Sequence, residues 1–281
     1  MISKTVLITG ALGGLGKALT REFRVNGWKV IATDIEPKII SEGIQDEGVT
    51  YITMDVSSDE SVSSVAAQLV RDQIQLDMII NNAGIDRYFP LSETPVSQFK
   101  KILEVNLFGC YRVNQNFLPF IKKPGGRIIN ISSEAVKINV PFMNYPISKQ
   151  ALESYSRTIR QELRFLGIDV VLVRPGAINT PFLDYVRNIE RPDPDSLLKA
   201  PFGKFLSTAS KEIGKTIEPE VVARWIVKIA NTKKTKRIYK INNSLQLKIA
   251  ALLPFWLIEG MVYRRLKLRG QKAIPSLIKK I

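Results

Sequence analysis

Residues 6–16 constrain this chain more than any other stretch. Val6-Leu7-Ile8 is a short apolar run that breaks into Thr9-Gly10-Ala11-Leu12-Gly13-Gly14-Leu15-Gly16 and then into a helical pattern. That order predicts a buried strand, a tight turn and a helix start. Glycines at 10, 13, 14 and 16 let the backbone come close to an anion, the N–H groups around Leu12 and Leu15 point at it, and a helix starting near Gly14 adds the positive end of its dipole. The group that suits such a turn is the pyrophosphate of a dinucleotide.

The spacing is Thr-Gly-x-x-x-Gly-x-Gly. Leu19 stands where Gly-x-Gly-x-x-Gly would need its third glycine. Glycine-rich turns also arise for steric reasons alone, so the next strand adds the discriminating residue. Lys29-Val30-Ile31-Ala32-Thr33 leads into Asp34, roughly 20 residues past the glycines, where a carboxylate accepts hydrogen bonds from ribose hydroxyls and repels a 2′-phosphate. Gly13 offers no cation beside that position. NAD(H) is therefore expected in preference to NADP(H).

Further along, strands are expected at Thr50–Met54, ending at Asp55-Val56, at Met78–Ile80, running into Asn81-Asn82-Ala83-Gly84, at Gly126–Ile131, ending at Ser132-Ser133, at Asp169–Val173, ending at Arg174-Pro175-Gly176, and at Lys236–Ile241. Helical patterns fill the intervals. One follows a cap at Ser57 or Ser58, one runs from Phe99 to Lys122 with an interruption near Asn106, one covers Tyr145–Leu166 with Ile147, Ala151, Leu152, Tyr155, Ile159 and Leu163 on its apolar face, and one covers Glu218–Asn231. Continuously apolar strands alternating with crossover-length helices predict an α/β fold: a single-domain, doubly wound parallel sheet of Rossmann type, carrying a C-terminal helical extension. The polar clusters then gather at the carboxyl ends of the strands, where such sheets bind ligands. The catalytic domain is expected over 1–243, with a segment covering the substrate at 181–217 and the extension at 244–281.

The chain has no histidine and one cysteine, Cys110. A Ser-His-Asp triad and a His-bound zinc are excluded, no metal site is expected, and proton transfer must use Tyr, Lys, Asp, Glu or Cys. Tyr145-Pro146-Ile147-Ser148-Lys149 meets that demand. A tyrosine and a lysine four apart share a helix face, so the ammonium sits near the phenol and is expected to lower its pKa, as a positively charged nicotinamide would. Taken alone, such a pair is also an ordinary amphipathic coincidence.

Thr9-Gly10-x-x-x-Gly14-x-Gly16, Asn81-Asn82-Ala83-Gly84, Asn106, Ser133, Tyr145-x-x-x-Lys149 and Pro175-Gly176-x-x-x-Thr180 stand in the order and at about the spacing of the short-chain dehydrogenase/reductase family, which the chain resembles over roughly residues 4 to 240. The resemblance implies that Tyr145 exchanges a proton with the substrate oxygen while a hydride passes to or from the nicotinamide. It implies that Lys149 holds the ribose hydroxyls and lowers the tyrosine pKa, that Asn106 fixes a water relaying protons from Lys149, and that Ser133 hydrogen-bonds the substrate oxygen. Thr180 and the backbone at Ile178 would hold the carboxamide, with Pro175 and Gly176 leading into that stretch. Asn82, beside Ala83 and Gly84, would anchor the turn on the cofactor side, and Asp55 and Val56 would flank the adenine. Family members use both Ser-to-Tyr intervals that Ser132 and Ser133 offer; Ser133 is taken as catalytic and Ser132 as a hydroxyl bonding the backbone. Glu134-Ala135-Val136-Lys137 departs from the small residue and glycine common after the serines, which bears on the floor of the pocket. The 12-residue interval from Ser133 to Tyr145 and the apolar extension look like the retinol and hydroxysteroid dehydrogenase branch.

The segment after Thr180 carries Phe182, Leu183, Tyr185, Val186, Leu197, Leu198, Phe202, Phe205 and Leu206 amid Pro192, Pro194 and Pro201. These favour an apolar substrate, unless they simply pack the segment on the body. The formal net charge of +15 is concentrated late: residues 233–281 hold 13 lysines and arginines against one acid, Glu259. A near-neutral body with a basic, apolar tail argues against nucleic acid and for an anionic lipid surface or a protein partner. Leu245–Leu253 and Phe255–Leu268, split by Pro254 and followed by Arg269, are each too short to span a bilayer. Either they lie in a membrane interface with Phe255, Trp256 and Leu257 inserted and Arg264, Arg265 and Lys267 at headgroup level, or they cap the pocket or make a subunit contact. The first strand starts almost at once, so no signal peptide is expected and the location is read as cytoplasmic, peripheral on a membrane in the first alternative. The function expected is NAD(H)-dependent interconversion of a lipophilic secondary alcohol and its ketone or aldehyde, of steroid, retinoid or acyl-lipid type, in a homodimer or homotetramer. The rivals are an oxidoreductase for a small polar substrate such as a sugar or hydroxy acid, and a membrane-attached protein that binds NAD without catalysis.

Overall fold

A computed structural model describes residues 3–35, 47–183, 193–212 and 215–267. Among these, seven strands form one sheet in the order β3-β2-β1-β4-β5-β6-β7. They are β1 (Thr5–Thr9), β2 (Lys29–Asp34), β3 (Val49–Thr53), β4 (Met78–Asn81), β5 (Arg127–Ile131), β6 (Asp169–Pro175) and β7 (Ile238–Ile241). Every neighbouring pair is parallel, with Val6 opposite Val30 on one side and Met78 on the other. The order reverses at β1, and the space above its carboxyl end is where a doubly wound sheet holds its ligand. The predicted fold class is the one observed.

The helices are α1 (Gly14–Val25), α2 (Asp59–Arg71), α3 (Val96–Leu103), α4 (Gly109–Phe117), α5 (Tyr145–Leu163), α6 (Lys199–Glu212), α7 (Pro219–Ala230), α8 (Leu245–Ala250) and α9 (Phe255–Leu266). Alternate strand residues serve opposite faces. Val6 and Ile8 join Leu19 and Phe23 of α1 and Val222 and Ile226 of α7 in one core. Leu7 and Ile31 join Leu69 of α2 and Val113 and Phe117 of α4 in the other. Each such side chain contributes roughly 1.5–3 kcal/mol by leaving water, so both layers hold their helices against the two faces of the sheet. Ser58 is the cap of α2, accepting from the Ser61 N–H at 3.1 Å.

Three expectations change in detail. The helix expected from Phe99 begins at Val96, behind Pro95; the interruption expected near Asn106 is present, as a π-helical turn at Glu104–Phe108. The helix ends in a 3-10 turn at Leu118–Phe120 because Pro119 cannot continue an α-helix. The buried face of α5 is rotated: Ser148, Lys149, Glu153 and Ser156 are buried with Leu152 and Leu163, whereas Ile147, Ala151, Tyr155 and Ile159 are half-buried. Apolar periodicity mislocates that face because polar partners from β5 and α4 receive it. Asn130 donates to the Ser156 hydroxyl at 2.8 Å, and Asn81 donates to Asn130 at 2.7 Å and Asn114 at 2.9 Å.

Beyond β7, Pro254 separates α8 from α9 as expected. Leu266 enters a third apolar cluster with Tyr88, Phe202 and Phe205, and the Lys204 ammonium donates to the Lys267 carbonyl at 2.8 Å. No helix among the described residues is long and apolar enough to cross a membrane. Tyr185, Val186, Pro192, Leu268 and Arg269 lie outside the described residues.

Candidate active site

The turn after β1 is built by contacts that only glycine permits. Gly10 has φ +64°, and a Cβ there would lie 2.8 Å from the Ala83 Cα; at Gly16 it would lie 2.0 Å from the Gly10 carbonyl oxygen. The start of α1 is thus pressed onto the turn. A Cβ at Gly14 would lie 2.6 Å from the Thr180 Cβ, so residues 10–16 and the chain after β6 close on each other. Asn82 holds the turn from the next strand: its amide donates to the Thr9 and Gly10 carbonyls at 3.0 Å each. The Asn82 and Ala83 N–H groups both donate to the Thr9 hydroxyl at 3.1 Å.

Asp34 ends β2 beside this turn. Its Oδ2 accepts from the Leu12 N–H at 2.8 Å and its Oδ1 from the Ile35 N–H at 2.7 Å. Two N–H bonds pin the carboxylate, and Asp34 lines the cleft. Asp55 caps the turn after β3 through the Ser57 N–H and hydroxyl, and Val56 beside it is buried.

At the other end of the cleft, Tyr145 and Lys149 open α5. The Lys149 ammonium is buried, lies 5.4 Å from the centroid of the Tyr145 ring, and donates to the Ile131 carbonyl at 2.9 Å. Gly84 lies alongside: a Cβ there would sit 3.3 Å from the Asn106 Oδ1, a tight fit, and 3.5 Å from Nζ, an ordinary contact. The Ser133 hydroxyl accepts from the Ala135 N–H at 3.1 Å and is near enough to the phenol to favour its ionised form. Ser132 turns the other way. It donates to the Glu153 carboxylate at 2.6 Å rather than to the backbone as expected. Glu153 also accepts from the Arg174 Nε and Nη2; burial alone would push its carboxyl up, but these partners hold it below the usual range.

Asn106 is fully buried behind this cleft. Its amide is committed to the backbone of Ile85, accepting from the N–H at 2.8 Å and donating to the carbonyl at 2.8 Å, and it donates to the Ser148 hydroxyl at 2.9 Å. The π-helical turn that presents it is of the kind found at functional sites.

The electrostatics differ from the expectation drawn from spacing. Desolvation pushes the Tyr145 phenol well above its usual value, the Asp86 carboxylate adds to that, and only Ser133 opposes. Desolvation lowers the Lys149 pKa, opposed by Cys110 and Asp86. The ammonium faces a carbonyl, so its pull on the phenol does not offset burial. Asp86 itself is buried and pushed up to about 7 by desolvation.

One cleft of about 2100 Å3 is lined by every catalytic and cofactor-binding residue expected from the sequence except Asn106. It exceeds the roughly 300–1,000 Å3 of ordinary small-molecule pockets, leaving room for a dinucleotide and a second molecule. The glycine cradle, the pinned Asp34 and the buried Lys149 fit a nicotinamide dinucleotide. Residues that sequence reasoning missed also line it: Asp86, Tyr88 and, from the extension, Leu247 and Arg265. Asp86 follows Asn81-Asn82-Ala83-Gly84 by two residues; only that proximity could have flagged it.

Fold and cleft together are those of a doubly wound dinucleotide-binding protein. Residues 4–191 match the family described as short chain dehydrogenase. The chain is 30% identical to an acetoacetyl-CoA reductase of Acinetobacter sp. (strain RA3849), over 70% of this chain and 86% of that one. It is 34% identical to retinol dehydrogenase 16 of Homo sapiens, over 63% of this chain and 57% of that one. A solved short-chain dehydrogenase from Streptomyces avermitilis has the same fold, with a TM-score of 0.76 at 22% identity, covering 94% of this chain and 96% of that one. The chain belongs to the short-chain dehydrogenase/reductase family, and it is an oxidoreductase acting on CH–OH groups with NAD(P).

Proposed function

We propose that this protein interconverts a lipophilic secondary alcohol and its ketone using NAD(H). The observation that carries the reading is the shared cleft: the glycine turn and Asp34 at one end, Tyr145, Ser133 and Lys149 at the other, and Val140, Met143, Phe182, Leu183 and Phe205 around the second end. The bound nicotinamide supplies hydride exchange. Gly10, Gly13, Gly14 and Gly16, with the Leu12 and Leu15 backbone, hold its pyrophosphate; Asp34 holds the ribose; Asp55 and Val56 flank the adenine. Asn82, Ala83 and Gly84 shape the wall, and Pro175, Gly176, Ile178 and Thr180 hold the carboxamide side.

Within that frame Tyr145 moves the proton at its Oη, while Ser133 donates to the substrate oxygen where charge develops. The phenol is held neutral by its surroundings, which suits a proton donor to a carbonyl. Lys149 exchanges its Ile131 carbonyl for the ribose hydroxyls, and Asn106 positions a water through its main-chain carbonyl, since its amide is spent on Ile85. The pinned Asp34 carboxylate supports NAD(H) over NADP(H).

Residues 244–267 of the extension expected over 244–281 serve two purposes in this reading. Their inner face, with Leu247, Arg265 and Leu266, caps the substrate end of the catalytic domain formed by 1–243. Their outer face supports peripheral contact of a cytoplasmic enzyme with an anionic membrane: Leu252 is 84% and Trp256 70% exposed, beside Lys248, Arg264 and Lys267. Exposed Phe108 and Tyr111 support a homo-oligomer formed on the α4 and α5 face. An acetoacetyl-CoA reductase and a retinol dehydrogenase among the relatives are both compatible with oxygen chemistry on an acyl or isoprenoid chain. The test is NADH consumption over a panel of long-chain, steroid and retinoid carbonyl compounds against sugars and hydroxy-acid precursors. Turnover confined to the polar compounds would overturn it, as would turnover of none with NADH bound.

A further inference from the structure

Ser133 stands on a turn that is weakly closed at the serine's own end. It caps a four-residue 3-10 turn, Glu134–Lys137, and its hydroxyl accepts from the Ala135 N–H at 3.1 Å. The first backbone bond of that turn, from the Val136 N–H to the Ser133 carbonyl, is stretched to 3.5 Å, past the roughly 2.7–3.2 Å of an ordinary N–H···O bond. Two side chains fix the turn instead. Gln150 of α5 donates to the Val136 carbonyl at 3.0 Å, and Glu134 reaches to the chain after β7, where its Oε2 accepts from the Ser244 N–H at 2.7 Å.

Ser244 is itself well anchored. The Gly176 N–H donates to the Ile241 carbonyl at 2.8 Å and the Asn243 amide to the Arg174 carbonyl at 3.0 Å, so residues 241–244 lie across the end of β6. The second oxygen of Glu134 sits at the same junction: a Cβ on Gly176 would come 2.9 Å from Oε1. Lys137 and Lys248 add positive charge beside the carboxylate. Glu134, Ser133, Gly176 and Ser244 all line the cleft.

We propose that Glu134 is a positioning residue for Ser133: by accepting the Ser244 N–H it makes the start of the terminal extension part of the catalytic apparatus and sets where the serine hydroxyl meets the substrate oxygen. This deepens and rests on the alcohol–ketone reading above. Its effect passes through Ser133 and so falls on kcat. Asp34 and the glycine turn hold the cofactor at the other end of the cleft, and NADH affinity is spared.

The test follows NADH absorbance with 2-decanone, or with the compound of the carbonyl panel that the wild type reduces fastest. Glu134→Ala should lower kcat by about ten- to a hundredfold, up to the cost of misplacing a reacting group by roughly 1 Å, with KM for NADH within about twofold of the wild type. Glu134→Gln keeps an oxygen for the Ser244 N–H and should retain at least about half of kcat. Ser244→Pro cuts the same bond from its other side, since φ is −57° there, a value proline adopts. It should match Glu134→Ala, whereas Ser244→Ala, which keeps the N–H, should match the wild type. In a Ser133→Ala background Glu134→Ala should cost less than about twofold, because the group it positions is gone. Hydrogen exchange over residues 133–138 of the NADH-loaded protein reads the turn without substrate and should quicken by at least about tenfold in Glu134→Ala and Ser244→Pro. An unchanged kcat in Glu134→Ala, equal losses with and without the Ser133 hydroxyl, or unchanged exchange over 133–138 overturns the role of Glu134 and leaves the alcohol–ketone reading standing. Turnover of no carbonyl compound in the panel overturns both. If Glu134→Ala does not fold, the two Ser244 variants decide.

Discussion

Lys149 and Tyr145, one helical turn apart on α5, face each other with the lysine Nζ 5.4 Å from the centre of the tyrosine ring, and the ammonium donates to the Ile131 carbonyl at the end of β5. The lysine is thereby tied to the strand that also delivers Ser133. A single bond positions three polar groups from two elements at the mouth of one cleft.

Replacing Tyr145 by Phe keeps the ring and its contact with Phe182 and removes only the hydroxyl. Ketone reduction should fall by about 10²–10⁴-fold, the range of a lost acid–base group, while NADH affinity by fluorescence titration stays within about twofold. Activity close to that of the wild type would mean that another group supplies the proton.

Asp34 should make NADH bind at least about tenfold more tightly than NADPH, because its pinned carboxylate repels a 2′-phosphate. In Asp34→Ala both effects vanish: NADH affinity drops by about ten- to a hundredfold, the worth of hydrogen bonds to a charged group, and the preference narrows. Equal affinities in the wild type would refute the assignment.

Asp86 gives a pH signature in stability. Its carboxyl ionises near 3.8 in the open chain and is pushed up to about 7 by burial in the folded one. Between those values the folded state binds the extra proton, so this group's contribution to stability is full below about 4 and is lost as pH rises through about 7. Asp86→Asn removes that loss. Denaturant melts at pH 5 and pH 8 should show the variant gaining on the wild type at the higher pH; a gain at pH 5 instead would contradict the buried acid.

For the outer face of the terminal helices, Phe255→Ser with Trp256→Ser changes only exposed side chains and spares Leu266 in its cluster. The full-length pair variant should lose sedimentation with phosphatidylserine-containing vesicles while retaining its melting temperature, and the wild type should lose it in high salt. Equal sedimentation of both proteins would leave α8 and α9 as a cap alone.

The parallel strands and the cleft were legible because such strands are buried on both faces and so read as unbroken apolar runs: Val6-Leu7-Ile8, Met78-Ile79-Ile80 and Val170–Val173 are found where expected. The glycine turn was legible for a similar reason, since Gly10, Gly14 and Gly16 each answer one close approach. The buried face of α5 was not, because Ser148, Lys149, Glu153 and Ser156 are received by Asn106, Ile131, Arg174 and Asn130, partners 18 to 42 positions away in sequence. Asp86 escaped notice likewise. It lines the cleft with Tyr88, which meets Phe205 of α6, and no local pattern encodes a meeting so distant along the chain. The raised phenol pKa belongs to the same class: it follows from who is excluded, chiefly water, rather than from the lysine four places on.

Glu134 occupies the place after the serines where a smaller residue was expected, and its carboxylate accepts the Ser244 N–H at 2.7 Å, at the very start of α8. The hydroxyl-bearing loop and the last helices are consequently leashed to one another. Any pull on the end of the chain is felt one residue from Ser133, and the terminal helices cannot be peeled away without first freeing the platform on which that serine stands.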